Sequence, residues 1–193
     1  MGRAWGLVGA IASGKSTAAR WFAERGWQVV DADREAHALY APGSELVAAL
    51  ADRFGGSILT PEGGVDRPAL GRIVFGDPVA LRDLDALVHP AARAHIAASL
   101  ESARSRGDVV LEMALLHRWP EMVAGLDRVV GISCPEEIRL DRLMSRSGLS
   151  RHEASRRLAS QEASLLLSPA TVVLENAGTV EELEKGLSAF VPG

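Results

Sequence analysis

The run Gly9-Ala-Ile-Ala-Ser-Gly14-Lys15-Ser16 sets two glycines five positions apart, then a lysine and a hydroxyl. Glycines let a backbone turn sharply enough for successive N–H groups to converge on one anion. A helix starting there adds the positive end of its dipole. The spacing is that of G-x-x-x-x-G-K-[ST], in which the lysine reaches the β- and γ-phosphates of a nucleoside triphosphate and the hydroxyl ligates Mg²⁺ bridging them. Gly9, Gly14, Lys15 and Ser16 are thereby expected to hold a triphosphate, with Ser16 the metal ligand and Thr17 beside the α-phosphate. The alternative, an ordinary glycine turn before a helix, leaves Lys15 unexplained. Lys15 and Lys185 are the only lysines among 21 basic residues. A compact ammonium and a planar guanidinium are not interchangeable in a tight phosphate cradle.

Two acidic groups follow apolar runs. "VVDAD" carries Asp31 and Asp33, and "VVLEM" carries Glu112. A hydroxyl that accepts a phosphoryl group needs a carboxylate to orient it and take its proton. Asp33 suits that role; it could equally cap a helix starting at Arg34. Asp31 reads as structural. Glu112 reads either as a holder of metal-bound water or as a structural hydrogen-bonding group. Arg139, Arg142 and Arg146 share one helix face. Arg142 and Arg146 are candidates to close over a transferring phosphate and neutralise its charge; otherwise they form a solvated basic face. Arg151 and Arg156 read as solvated surface, and Arg157 fits either reading. His89, before Pro90, reads as a helix-entry residue. The other histidines show no metal spacing with acids or with Cys134.

Positioning these groups takes an ordered series of elements. Short apolar strands are expected at Ala4–Val8, in "WQVVDAD", "GDVVLEMALL", "LDRVVGISC" and "ATVVLEN", with helices between them. That alternation predicts an α/β/α fold around a five-stranded parallel sheet. Helices are expected at Ser16–Arg25, from the Ser44 cap through Phe54, at Pro68–Phe75, Pro78–Val88, Pro90–Arg106 and Pro135–Arg146, after the Ser150 cap, and at Thr179–Phe190. Residues 34–106 hold helical patterns and no clear strand, so they read as a helical insertion. Residues 1–33 and 107–193 then form the core.

The 193 residues suit a single α/β fold. With 47% hydrophobic but only 5% aromatic residues, the core is expected to be mainly Ala, Leu and Val. A net charge of −4 without a basic block argues against a nucleic-acid partner. No apolar run reaches the roughly 20 residues needed to span a bilayer. The lone cysteine fits a reducing compartment, and no signal-peptide pattern opens the chain, so a soluble cytoplasmic protein is expected. Cys134 reads as a buried structural residue with no basic neighbour in sequence.

Taken together, "GAIASGKST", "DADREAHALYAPGS", "VDRPALGRIVFGDPVALRDLDALVHP", "VVLEMALL", "RLDRLMSRSGLSRHEASRRLASQ" and "VVLENAG" resemble the dephospho-coenzyme A kinase family over nearly the whole chain. The resemblance implies a P-loop kinase that moves the γ-phosphate of ATP, with Mg²⁺, to the ribose 3′-hydroxyl of dephospho-coenzyme A. It implies that Ala12, Ser13, Gly14, Lys15, Ser16 and Thr17 bind ATP, that Asp33 is the base and that Asn176 lies near the adenine. It places His89 and the 34–106 insertion on the acceptor side, with Asp33 and Glu112 toward substrate, and Arg142 and Arg146 by a lid at 147–165. Other small-acceptor kinases, for nucleotides or gluconate, and a nucleotide-binding regulator without turnover are the competing readings. A monomer or weak homo-oligomer is expected. The chain also departs from the family pattern. Ala10 and Ala12 stand where glycine is usual, which a cradle tolerates if their φ angles are negative. Ala114 and His117-Arg118 alter the stretch after the third strand, Glu112 stands where aspartate is common, and Thr171 replaces an aspartate.

Overall fold

The computed structural model describes residues 1–191; residues 192 and 193, the end of the expected core segment, lie outside it. Five strands form one parallel sheet in the order β2-β3-β1-β4-β5: β1 Ala4–Val8, β2 Gln28–Asp31, β3 Val109–Glu112, β4 Arg128–Ser133 and β5 Val172–Glu175. Every residue of β1 is buried, as a central parallel strand covered on both faces requires. The ten helices among the described residues are α1 Lys15–Glu24, α2 Ala32–Ala38, α3 Glu45–Phe54, α4 Arg67–Val74, α5 Pro78–Arg106, α6 Pro120–Ala124, α7 Glu136–Ser147, α8 Arg151–Ala159, α9 Ala163–Leu167 and α10 Val180–Ser188.

The chain packs as two compact units. One comprises Met1–Asp31 and the chain from Leu100 onward, and holds the sheet; the other is Ala32–Ser99. In the first, α1 and α10 cover one side of the sheet. Trp5, Trp21, Phe22 and Trp27 gather there with Leu7, Val110, Val130, Ile132, Leu183 and Leu187. Trp5 meets Trp27 and Phe22 edge-on, with ring centroids 5.0 and 5.9 Å apart. Ala, Leu and Val still make up most of this layer, with Ala18 and Ala19 among them, as expected; what composition did not foretell is that the few aromatics gather here. Aromatics are few but concentrated, and each buries far more area than an alanine.

Carboxylates secure the starts of the strands. Asp108 accepts from the Arg3 backbone N–H at 2.6 Å and from its guanidinium at 3.0 and 2.6 Å; Asp127 accepts the Ala4 N–H at 2.7 Å. The Arg3 hydrogen bond holds the Asp108 carboxyl below its ordinary value. A carboxylate with a lowered folded pKa stabilises the protein above the unfolded value, about 3.9 for Asp, and that contribution is lost as pH falls through the folded value. Asp108→Asn should therefore cost about 1 kcal/mol at pH 7. In urea unfolding, its gap from wild type should close as pH drops below 4; a gap that persists unchanged at pH 2.5 would rule this account out.

The second unit is helical. Leu46, Val47 and Leu50 of α3 pack with Ile58, Val65, Leu70 and Val74 and with the start of α5. Ser44 caps α3 by accepting the Leu46 N–H at 3.2 Å, as expected. One antiparallel bridge, Leu59 to Val65, closes the turn-rich stretch.

The expected break at His89-Pro90 is absent: Pro78–Arg106 is one helix with Pro90 inside it, and His89 is helical rather than extended. An internal proline costs about 3 kcal/mol. Leu84, Leu87, Val88 and Ala91 around it join the second unit's cluster, and Ala92 and Ile96 are buried. Burying two or three such side chains, at about 1.5–3 kcal/mol each, outweighs the proline.

Candidate active site

The cradle lies between β1 and α1, at the carboxyl end of the central strand, where open α/β sheets bind ligands. Ser13 N–H donates to Ala10 O at 3.1 Å and tightens the turn. Gly9 has φ 151° and Gly14 φ 107°. A Cβ on Gly9 would stand 2.5 Å from the Ile132 carbonyl oxygen, and one on Gly14 would stand 2.2 Å from Asn176 Nδ2. Both glycines are therefore required by backbone angle and by space. The condition of negative φ holds at Ala10 and fails at Ala12, whose φ is 61°, in the left-handed region.

An L-residue in that conformation costs roughly 1–2 kcal/mol. Ala12 also packs beside Leu140, Leu143, Ala154 and Leu158 of α7 and α8, which offsets part of that cost. Glycine would relieve the strain but lose this contact and gain unfolded-state entropy. Ala12→Gly should therefore leave stability within about 1 kcal/mol of wild type, whereas Ala12→Val, β-branched at positive φ, should lose about 2 kcal/mol in urea unfolding. Equal stability of all three proteins would show that the left-handed turn is absent in solution.

Lys15 opens α1 and is half-buried, with Nζ 3.3 Å from Ala10 O. Ser16, exposed one residue on, donates through Oγ to Glu112 Oε1 at 3.0 Å. Glu112 ends β3, which pairs with β1 in the register Leu7–Glu112 and with β2 in the register Asp31–Glu112. Sheet register thus delivers the carboxylate to the hydroxyl. Asp31 closes β2 as its last residue.

Asn176 follows β5 and is only 6% exposed. Its Nδ2 donates to Ser13 O at 2.8 Å, and its own N–H donates to Ser133 O at 2.8 Å. Arg142, half-buried on α7, donates to Asn176 O and Gly178 O at 3.2 Å each and to Asn176 Oδ1 and Cys134 Sγ at 3.4 Å each. The three arginines expected on one face thus differ. Arg139 is 5% exposed and donates to Cys134 O at 3.2 Å. Arg142 braces the loop after β5, and Arg146 is exposed in the last turn of α7. Cys134, which has no basic neighbour in sequence, has Arg142 beside it in space. Burial still pushes its thiol up, against the opposing pull of Arg142 and Arg139.

In the second unit, Asp33 lies in the first turn of α2, which starts at Ala32; the position before Arg34 is therefore not a helix cap. Glu35 on the same helix accepts from Ser99 Oγ at 2.7 Å and lies 3.0 Å from His95 Nε2. His89 is exposed, 3.6 Å from Asp85. Gln161, which the sequence reading passes over, accepts the Ile11 N–H at 2.8 Å. The sequence places it at the end of the helix expected after the Ser150 cap; the structure ends that helix at Ala159 and leaves Gln161 just beyond it.

The dephospho-CoA kinase family profile matches residues 3–182. The chain belongs to the dephospho-CoA kinase family. It is 40% identical over 191 residues to the dephospho-CoA kinase of Corynebacterium jeikeium (strain K411), with 97% of each chain covered. Among solved structures it resembles a Thermus thermophilus protein at 35% identity, TM-score 0.76, with 97% of this chain and 95% of that one covered. It also resembles the dephospho-CoA kinase of Campylobacter jejuni at 27% identity, TM-score 0.69, with 99% and 98% covered. The activity of dephospho-CoA kinases is ATP-dependent phosphorylation of dephospho-CoA in coenzyme A biosynthesis. The strand order and cradle are those of a P-loop kinase.

Proposed function

We propose that this chain transfers the γ-phosphoryl group of ATP to the ribose 3′-hydroxyl of dephospho-coenzyme A, giving coenzyme A and ADP. The observation that carries the reading is the meeting of Lys15, Ser16 and Glu112 at the carboxyl ends of two adjacent strands, in a chain of this family. Lys15 and the N–H groups from Ala12 to Thr17 would hold the triphosphate. Asn176 and Arg142 would frame the adenine side. Arg146, exposed on α7, would close over the transferring group. Asp33 would orient the acceptor hydroxyl and take its proton as the oxygen–phosphorus bond forms and the bond to the ADP oxygen breaks. Residues 34–106, His89 among them, would bind the acceptor, and residues 147–165 would act as the lid.

The oxygen pair at Ser16 and Glu112 fits Mg²⁺, a hard cation that binds one or two side-chain oxygens and takes the rest from water and phosphate. Among the described residues no group of three or more His, Cys, Asp or Glu forms a cage for a metal. A cation shared with substrate phosphates suits this donor set better than a protein-only site. Ser16, with Glu112 behind it, would hold the ion, which would neutralise developing charge on the phosphates.

The same reading takes a small-molecule acceptor in the cytoplasm, with the protein a monomer or weak homo-oligomer. No helix among the described residues is long and apolar enough to cross a membrane. The test is ADP release over an acceptor panel of dephospho-coenzyme A, nucleoside monophosphates, gluconate and shikimate. Turnover is expected with dephospho-coenzyme A; turnover with another acceptor and none with it would overturn the substrate assignment.

A further inference from the structure

The peptide unit joining Ala10 to Ile11 is gripped at both ends. Its carbonyl oxygen accepts Ser13 N–H at 3.1 Å and Lys15 Nζ at 3.3 Å. Its N–H donates to Gln161 Oε1 at 2.8 Å, across 150 residues of sequence. Gln161 lies just past α8, where its own N–H bonds to Leu158 O at 3.1 Å. Leu158 is 3% exposed and belongs to the cluster of α7 and α8 on which Ile11 and Ala12 rest. The contact is thus polar at the peptide and apolar beside it, and both parts come from the same helical pair.

We propose that Gln161 is a positioning residue for phosphate binding, fixing the Ala10–Ile11 peptide so that its carbonyl faces Lys15 and the cradle keeps its shape. The physical reason lies in the neighbouring backbone. Ala12 sits in a left-handed conformation that an alanine does not favour. A rotation of the peptide before it is a ready way to relax. That rotation would turn the Ile11 N–H away from Gln161 and the Ala10 carbonyl away from Lys15 together. An acceptor on the N–H opposes the rotation and, by polarising the peptide, strengthens its carbonyl as an acceptor. An unmade bond here would also leave the Ile11 N–H without this acceptor.

The inference rests on the phosphate-cradle reading, and calorimetry with the full-length protein separates the two. Gln161→Leu and Gln161→Met keep the bulk and lose the acceptor. Each should raise the Kd of ATP about tenfold, the effect of one lost hydrogen bond, while the KM of the acceptor stays within twofold. A role in stability alone would lower Tm and leave the ATP Kd unmoved. Unchanged ATP affinity in both variants, or an equal rise in acceptor KM, overturns the assignment of Gln161 and leaves the cradle standing. A wild-type protein that binds no ATP overturns both.

Discussion

Lys15→Met should lower kcat/KM about 10²–10³-fold, the usual loss when one preorganised charge is removed from a transferring phosphoryl group. Calorimetric titration should show ATP binding weakened as well, because the ammonium meets phosphate in the ground state and in the transition state. The fold should survive, since Lys15 is half-buried and lies outside the aromatic layer. Lys15→Arg should fail almost as badly. A planar guanidinium spreads its charge over a longer fork and does not reproduce the compact ammonium that sits 3.3 Å from the Ala10 carbonyl in this turn. Unaltered ATP affinity in Lys15→Met would remove the foundation of the proposed function.

Asp33→Asn should lower kcat roughly 10³-fold, within the range of general-base contributions. Its ATP affinity should stay near wild type, because the asparagine retains size and hydrogen bonding and loses only the ability to take a proton. The support for α2 is visible within its own unit: Glu35 is bonded to Ser99 and paired with His95 on α5. Glu35→Ala should therefore raise acceptor KM by loosening α2, with a smaller loss in kcat than Asp33→Asn. Near-normal kcat in Asp33→Asn would discard the base assignment and leave Glu112 and the arginines to be tested in its place.

Local signals made much of this legible. β1 matches its expected bounds, and the Ser44 and Ser150 caps fall where the hydroxyls stand. Thr179 forms a reciprocal capping box with Glu182. These features depend on residues within four positions of one another, so a linear reading finds them. The helix through Pro90 did not yield to the same reading, because the proline's cost is local whereas the burial that outweighs it comes from α3, α4 and the turn between them. The short α6 and α9 have five residues each, too few to show a period.

By itself the sequence determined which chemistry was available: a glycine-flanked lysine and hydroxyl between strand and helix, acids at strand ends, and arginines one helical turn apart. Tertiary structure decided which of those groups meet. Pairing of β3 beside β1 brings Glu112 to Ser16, 96 positions away. Closure of the loop after β5 brings Asn176 to Ser13 and directs Arg142 onto that loop. Residue types and short spacings are written along the chain. Contacts across a hundred residues follow from sheet register and side-chain packing, which exist only once the whole chain has folded.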